Sequence, residues 1–311
     1  LFVYPMSFDE FLTATRQEGL LRIKRNSSPT NPLPEAFYNR LVEAFRSYML
    51  VGGMPEAVAT YTETGSYRYS SDIVNEIIQG YQDDFAKYGA KANPLLLRQT
   101  LISVAHQAGA KFVCSRVEGQ YRSAEVKVAL EMLKDAGLII PTYHTDANGV
   151  PLGAEINERV VKYLIHDTGV LLGILGIDDD IDERIKEMMV ADSIDLVDKG
   201  HVAEMMAGLE LIKYSSPQTR HQLYYWQNMN KGTCAEVDYV IARSGSIVPI
   251  EVKSGVKGSM SSMYSLMRNP QKHIEMGIRC SLENFGTFAS PDGKKIDIIP
   301  LYAISNLFAE K

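Results

Sequence analysis

The stretch Ala235–Ser254, A-E-V-D-Y-V-I-A-R-S-G-S-I-V-P-I-E-V-K-S, constrains the fold more than any other part of the chain. Two apolar runs, Val237–Ala242 and Ile247–Val252, flank the polar turn Arg243–Ser246, whose Gly and Ser residues suit a hairpin connection. Side chains alternate along a strand, so Glu251 and Lys253 share one face and Val252 takes the other. Asp238 lies inside the first run. Charges on a hairpin normally face water. Apolar runs on both arms instead predict a central, covered hairpin, where an inward charge needs a partner or a task.

An acid on one strand, with an acid and a lysine on its neighbour, can converge on one point. That set suits metal-assisted phosphodiester cleavage. Mg²⁺ prefers oxygen ligands, commonly one or two carboxylates plus water and substrate phosphate. Asp238 and Glu251 are the candidate ligands. Lys253 is placed to position the attacking water or to stabilise charge on the phosphate, while the metal activates bound water.

D-Y-V-I, a short turn and I-E-V-K-S-G together resemble the core of the PD-(D/E)XK, or restriction-endonuclease-like, nucleases. The resemblance implies metal ligation by Asp238 and Glu251, a catalytic Lys253, and a supporting acid on a preceding helix. Glu204, in G-H-V-A-E-M-M-A-G-L-E-L-I, matches that last position, although Ala203 stands where an aromatic is usual. Glu210 falls on a different helical face. Glu236 is an extra carboxylate, expected to turn away from Asp238.

The first residues, L-F-V-Y-P-M-S-F-D-E-F-L, read as a strand end, a turn and a helix. Ser7 and Glu10 stand at capping-box spacing. An opening inside an apolar run looks like a cut within a larger domain. The segment also resembles the end of the ATPase module in a family of prokaryotic AAA-type ATPases, where a domain of unknown function with a PD-(D/E)XK-like end follows. Further landmarks of that resemblance are Gly52–Ala57, Lys162–Gly176, Gly200 to Glu204, and the E-V-D and E-V-K pair. No G-x-x-x-x-G-K-[ST] occurs in the chain. ATP is therefore expected only through a module that this chain lacks.

Leu20 to Pro34 is polar and reads as a loop. Glu35–Leu50 is an amphipathic helix, with Phe37, Leu41, Phe45 and Tyr48 at helical spacing. Gly52-Gly53-Met54-Pro55 stops it and starts the next helix, and Asp72–Lys87 forms another. Helices at Leu95–Gln107 and Ser123–Ala136, the latter capped by Ser123, precede a strand at Leu138–Tyr143 and a partner at Val160–Ile165. This succession predicts a winged helix, with Arg122 and Lys127 on the exposed face of its last helix. Acids and bases are balanced there, whereas phosphate binding needs a basic surplus, so both DNA binding and protein docking remain open. Asp167 is expected to cap the helix after it. Asp178–Glu183 lacks EF-hand spacing. Between Ser244 and His273 the only acid is Glu251, while Lys253, Lys257, Arg268, Lys272 and His273 are present, a surplus that suits a phosphate backbone. Ile296–Ala303 reads as the closing strand.

A net charge of −6 excludes a general polyanion binder. The three Cys are scattered without a C-x-x-C pair, which predicts a reducing, cytoplasmic setting. No apolar run reaches the roughly 18–20 residues that a membrane helix needs.

The expected fold class is α/β: a helical region at 1–90, a winged-helix-like domain at 91–175, and a mixed-sheet PD-(D/E)XK-like domain at 176–311. Two functions follow. One is a Mg²⁺-dependent nuclease-like domain serving an ATPase; the other is a non-catalytic module that binds DNA or a protein partner for it.

Overall fold

The computed structural model of the chain describes residues 1–87, 93–176, 199–218, 221–228, 235–255 and 258–308. Its first part is helical. The capping box forms as its spacing predicts: Glu10 Oε2 accepts the Ser7 N–H at 2.7 Å and opens α1 (Phe8–Ala14). α2 (Glu18–Arg25) then occupies part of the segment expected to be a loop. Its charged residues disguise an apolar stripe made by Leu20 and Leu21, both buried. Lys24 is buried too, because its ammonium pairs with Asp9 and donates to Ser305 Oγ at 2.6 Å. α3 (Glu35–Val51), α4 (Pro55–Thr64) and α5 (Tyr67–Lys87) complete this region. α5 starts earlier than the expected Asp72, since Tyr67 is buried with its hydroxyl 2.9 Å from Ser47 Oγ.

The middle of the chain holds α6 (Pro94–His106), α7 (Ser123–Asp135), β1 (Ile139–Thr145) and β2 (Ile156–Ile165). Arg122, not Ser123, caps α7; Glu125 Oε2 accepts the Arg122 N–H at 2.8 Å. β1 and β2 pair antiparallel, from Ile139 opposite Ile165 to Tyr143 opposite Val161, and slip at Tyr143–His144. Helix, helix and ribbon follow in the predicted order. The ribbon is not a free wing, however: β3 (Leu223–Gln227) pairs parallel with β1, and β4 (Glu236–Val237) pairs with β3. The result is a mixed sheet ordered β2-β1-β3-β4.

Asp167 caps α8 (Thr168–Ile174) as expected: its Oδ1 accepts from Val170 N at 3.1 Å. Its Oδ2 accepts the Gly53 N–H at 2.6 Å and so fixes the turn between α3 and α4. The acidic run Asp178–Glu183 lies outside the described residues. α9 (Lys199–Lys213) follows.

The second sheet comprises β5 (Tyr239–Arg243), β6 (Ser246–Val252), β7 (Met276–Ser281), β8 (Gly286–Ala289) and β9 (Lys295–Pro300), ordered β5-β6-β7-β9-β8. β6, β7 and β9 run parallel, and the edge strands β5 and β8 run antiparallel to their neighbours. Ser244 and Gly245, both at positive φ, make the two-residue turn of the β5–β6 hairpin. Pro249 has no N–H to donate, and β6 pairs with β7 only from Ile250 onward. α10 (Ser261–Arg268) covers one face of the hairpin with Met263, Leu266 and Met267. The last strand ends at Pro300, and 3-10 turns over Leu301–Leu307 carry Tyr302 and Ile304 into the core.

One hydrophobic cluster runs from Phe8, Phe45 and Leu97 through Leu133 to Ile250 and Tyr302, so all three expected segments share it. A buried polar joint reinforces it. Glu210 accepts the Tyr48 hydroxyl at 2.9 Å and the Phe8 N–H at 3.2 Å, tying α9 to α1 and α3. The architecture is mixed α/β. Among the described residues, no helix is long and apolar enough to cross a membrane. Cys114 and Cys280 are free thiols.

Candidate functional site

Asp238 is the single residue between β4 and β5, at the bend where the chain leaves one sheet and enters the other. The β5–β6 register begins with Tyr239 opposite Ile250, directly after Asp238. Asp238 Oδ2 accepts the Val252 N–H at 2.7 Å, which anchors the bend to β6. Glu251 and Lys253 share a face, with Lys253 Nζ 2.7 Å from Glu251 Oε1. Glu251 is 5% exposed, and its other oxygen, Oε2, has no hydrogen-bond partner.

Glu204 enters from α9. Gly208, one turn further along, lets this helix approach β5 closely; a Cβ there would stand 2.3 Å from the Tyr239 hydroxyl. That hydroxyl donates to the Glu204 carbonyl oxygen at 2.8 Å. The Glu204 carboxylate faces Lys162 on β2, with Nζ 2.8 Å from Oε1. The same ammonium lies 2.6 Å from Glu236 Oε1 and 5.1 Å from the centre of the Tyr225 ring. Glu236 therefore joins the cluster instead of turning away, because residues two apart on a strand share a face. Lys162 is the residue the sequence reasoning missed. Its signal was a lone lysine inside the apolar strand V-V-K-Y-L-I, where a buried charge needs carboxylate partners.

Glu204, Glu236, Asp238 and Glu251 thus face two ammonium groups, Lys162 and Lys253. Arg279 sits beside Glu251 on β7, but its Nε is 2.6 Å from Glu283 and its Nη2 donates to the Gly255 carbonyl. Fully ionised, the four carboxylates and two lysines carry a formal charge of −2. The electrostatics follow from this surplus. Burial, with Asp238 nearby, pushes Glu251 up to about 7 against the pull of Lys253. Burial also pushes Glu204 up to about 7 against Lys162. Asp238 is raised by burial, with the Val252 N–H and the two lysines opposing. Burial acts to lower Lys162, yet Glu204 and Glu236 outweigh it and hold the ammonium charged. The cluster reaches solvent on the side of Glu236 and Lys253, whose side chains are partly exposed.

Among the described residues, no three His, Cys, Asp or Glu side chains stand together as a metal-ligand group. Lys162 sits between Glu204 and Glu236, and Lys253 pairs with Glu251. The set that remains is the pair Asp238 and Glu251, with the buried, unpartnered Glu251 Oε2. Two carboxylates are enough for Mg²⁺, which keeps several waters, and a buried oxygen without a donor suits a cation, so the pair fits one.

The basic residues are placed less simply. Arg122 and Lys127 are exposed, on and beside α7. Lys272 is not a surface base: it is 8% exposed, and its ammonium donates to the Asp146 carbonyl and to Asn148 Oδ1 at 2.9 Å. Arg268 pairs with Asp292 at 2.7 Å. Lys257 lies outside the described residues. The surplus counted along the sequence is therefore largely consumed by internal bonds.

No curated protein and no solved structure matches the chain. Residues 42–181, which contain Lys162, match Domain of unknown function (DUF8612). Residues 199–304, which contain all four carboxylates and Lys253, match Domain of unknown function (DUF4143), a domain often found C-terminal to AAA ATPases.

Proposed function

We propose that the second sheet and α9 form a PD-(D/E)XK-like site for hydrolysis of phosphodiesters, dependent on one divalent cation such as Mg²⁺ and serving an AAA-type ATPase module. The observation that carries this reading is the buried, unpartnered Glu251 Oε2 within a cluster whose carboxylates outnumber its ammonium groups by two. Asp238 and Glu251 would hold the cation. When bound, it supplies Lewis-acid polarisation of a phosphoryl oxygen and lowers the pKa of its water. Lys253, on the solvent side, orients the phosphate and stabilises the charge that develops on it. Glu204 is held by Lys162 and keeps the acid end of the hairpin negative. The ATPase partnership draws support from the match of residues 199–304.

The test is calorimetric titration with Mg²⁺ and Mn²⁺ of the wild type, Asp238→Ala and Asp238→Asn, followed by cleavage assays on single- and double-stranded DNA and RNA. Saturable binding lost in both variants, with cleavage that needs Lys253, supports the reading. Binding unchanged by Asp238→Asn removes it. A second reading has its own observation: Lys253 and Lys162 are both engaged by carboxylates. In that reading the domain is a non-catalytic module that binds DNA or a protein for the ATPase. Cation binding without cleavage of any of these substrates would select it.

A further inference from the structure

Lys162 Nζ lies between two carboxylates from different elements, 2.8 Å from Glu204 on α9 and 2.6 Å from Glu236 on β4. Its side chain is 2% exposed, its ammonium lies 5.1 Å from the centre of the Tyr225 ring, and Glu204 is buried while Glu236 is partly exposed. An ammonium bridging two acids in such a place does what a metal ion does between bridging carboxylates: it cancels their repulsion and fixes their spacing. It does so without open coordination positions, so it can neither bind water nor take a phosphate oxygen. The ammonium comes from β2, in the segment that matches DUF8612, while both carboxylates belong to the segment that matches DUF4143. Without β2, Glu204 on α9 and Glu236 on β4 would lose the ammonium between them.

We infer that Lys162 is a built-in cation that occupies a second cation position, between Glu204 and Glu236, and so limits this site to one exchangeable divalent ion. The inference shares the cluster assigned under the proposed function and rests on that reading for the first ion, held by Asp238 and Glu251. It makes a separate statement about the second. Two-ion sites clamp both the attacking and the leaving oxygen of a phosphodiester. A site with one ion and one fixed ammonium lacks half of that clamp. Its substrates are accordingly phosphodiesters with a good leaving group, or a strand whose leaving oxygen is protonated by another residue.

The experiment counts ions. Mn²⁺ binding is measured by equilibrium dialysis and by the paramagnetic resonance of free Mn²⁺, for wild type, Lys162→Met, Lys162→Arg and Lys162→Met/Glu204→Gln. Circular dichroism in the presence of Mn²⁺ verifies folding. The stoichiometry is expected to rise by one ion per chain in Lys162→Met, to stay at the wild-type value in Lys162→Arg, and to fall back in the double variant. Lys162→Gln, which keeps a hydrogen-bond donor but no charge, replaces the Met variant should that one fail to fold, with the same rise expected. Unchanged stoichiometry in the folded neutral variant overturns the inference. A wild type that binds no ion, with a neutral variant that binds one, rejects the first-ion assignment and leaves the second standing. No binding by either overturns both.

Discussion

Lys162 on β2 holds Glu204 on α9 at 2.8 Å across 42 residues of sequence, and this bond joins the ribbon of the first sheet to the helix that packs on the second. Breaking it exposes how the site is balanced. Lys162→Ala leaves two carboxylates in a poorly hydrated place with no counter-ion. Removing one partner of a buried pair costs about 3–5 kcal/mol. Chemical denaturation without divalent ions should show that loss. Mn²⁺ should restore part of it, since a ligand that binds only the folded state stabilises it by mass action.

The cluster also sets a pH dependence. Glu251 has a folded-state pKa raised from 4.5 to about 7, so the native state holds a proton that the unfolded chain has released between those values. Stability from this group is present below about pH 4.5 and is lost as pH rises towards 7. Glu204 acts in the same direction. In metal-free buffer, the wild-type unfolding free energy should decline from pH 5 to 7.5 more steeply than that of Glu251→Gln. Equal slopes in the two proteins would refute the assignment. Cation affinity should rise over the same interval, because a carboxylate must lose its proton before it binds metal.

Gly53 lies where Met6 crosses the turn between α3 and α4. A Cβ at this position would stand 2.3 Å from the Met6 carbonyl oxygen, in a place where Met6 N also donates to the Gly53 carbonyl at 2.7 Å. The neighbouring Gly52 has φ +78° and faces the Asp167 carboxylate. Gly53→Ala should therefore cost at least the roughly 1–3 kcal/mol of overpacking, because the methyl meets backbone that must shift. A thermal midpoint within one degree of wild type would show that the turn relaxes freely.

Lys272 distinguishes a structural lysine from a phosphate-binding one. Its ammonium ties the Asp146–Asn148 turn to the segment after α10. Lys272→Ala should lower stability by about 0.5–1.5 kcal/mol, the net worth of a hydrogen bond, since Asp146 and Asn148 are exposed and can turn to water. The salt dependence of any nucleic-acid binding should stay unchanged, as it would not for a lysine on a phosphate. Gel-shift titrations at several salt concentrations provide the comparison.

The hairpin was legible because its signals are local: apolar runs on both arms, a two-residue turn with Ser and Gly, and an E-x-K alternation. Most helices were legible for the same reason, through periodicity and caps such as Ser7 and Asp167. What escaped depends on distant partners. α2 reads as polar because Lys24 is buried only by virtue of Asp9 on the preceding helix and Ser305, far away in the chain. Lys272 counts as a surface base until its ammonium is seen to close a turn. Lys162 looks like one charge in a strand until Glu204 and Glu236 arrive from later elements. The β1–β2 ribbon matches a wing until β3 pairs with β1. In each case local pattern fixes the element, and long-range electrostatics or sheet pairing fixes its use.

Among the contacts that join the two matched segments is one ammonium held by two acids, and this bears on how such chains are inherited. A recombination that replaced residues 42–181 with a relative lacking lysine on β2 would deliver an intact helix-and-ribbon unit and still unbalance the acids of its neighbour. The reverse exchange would strand a lysine in the core. Swaps between lineages should therefore survive only where lysine and both glutamates travel together, so the two families are expected to share one history wherever this contact is kept.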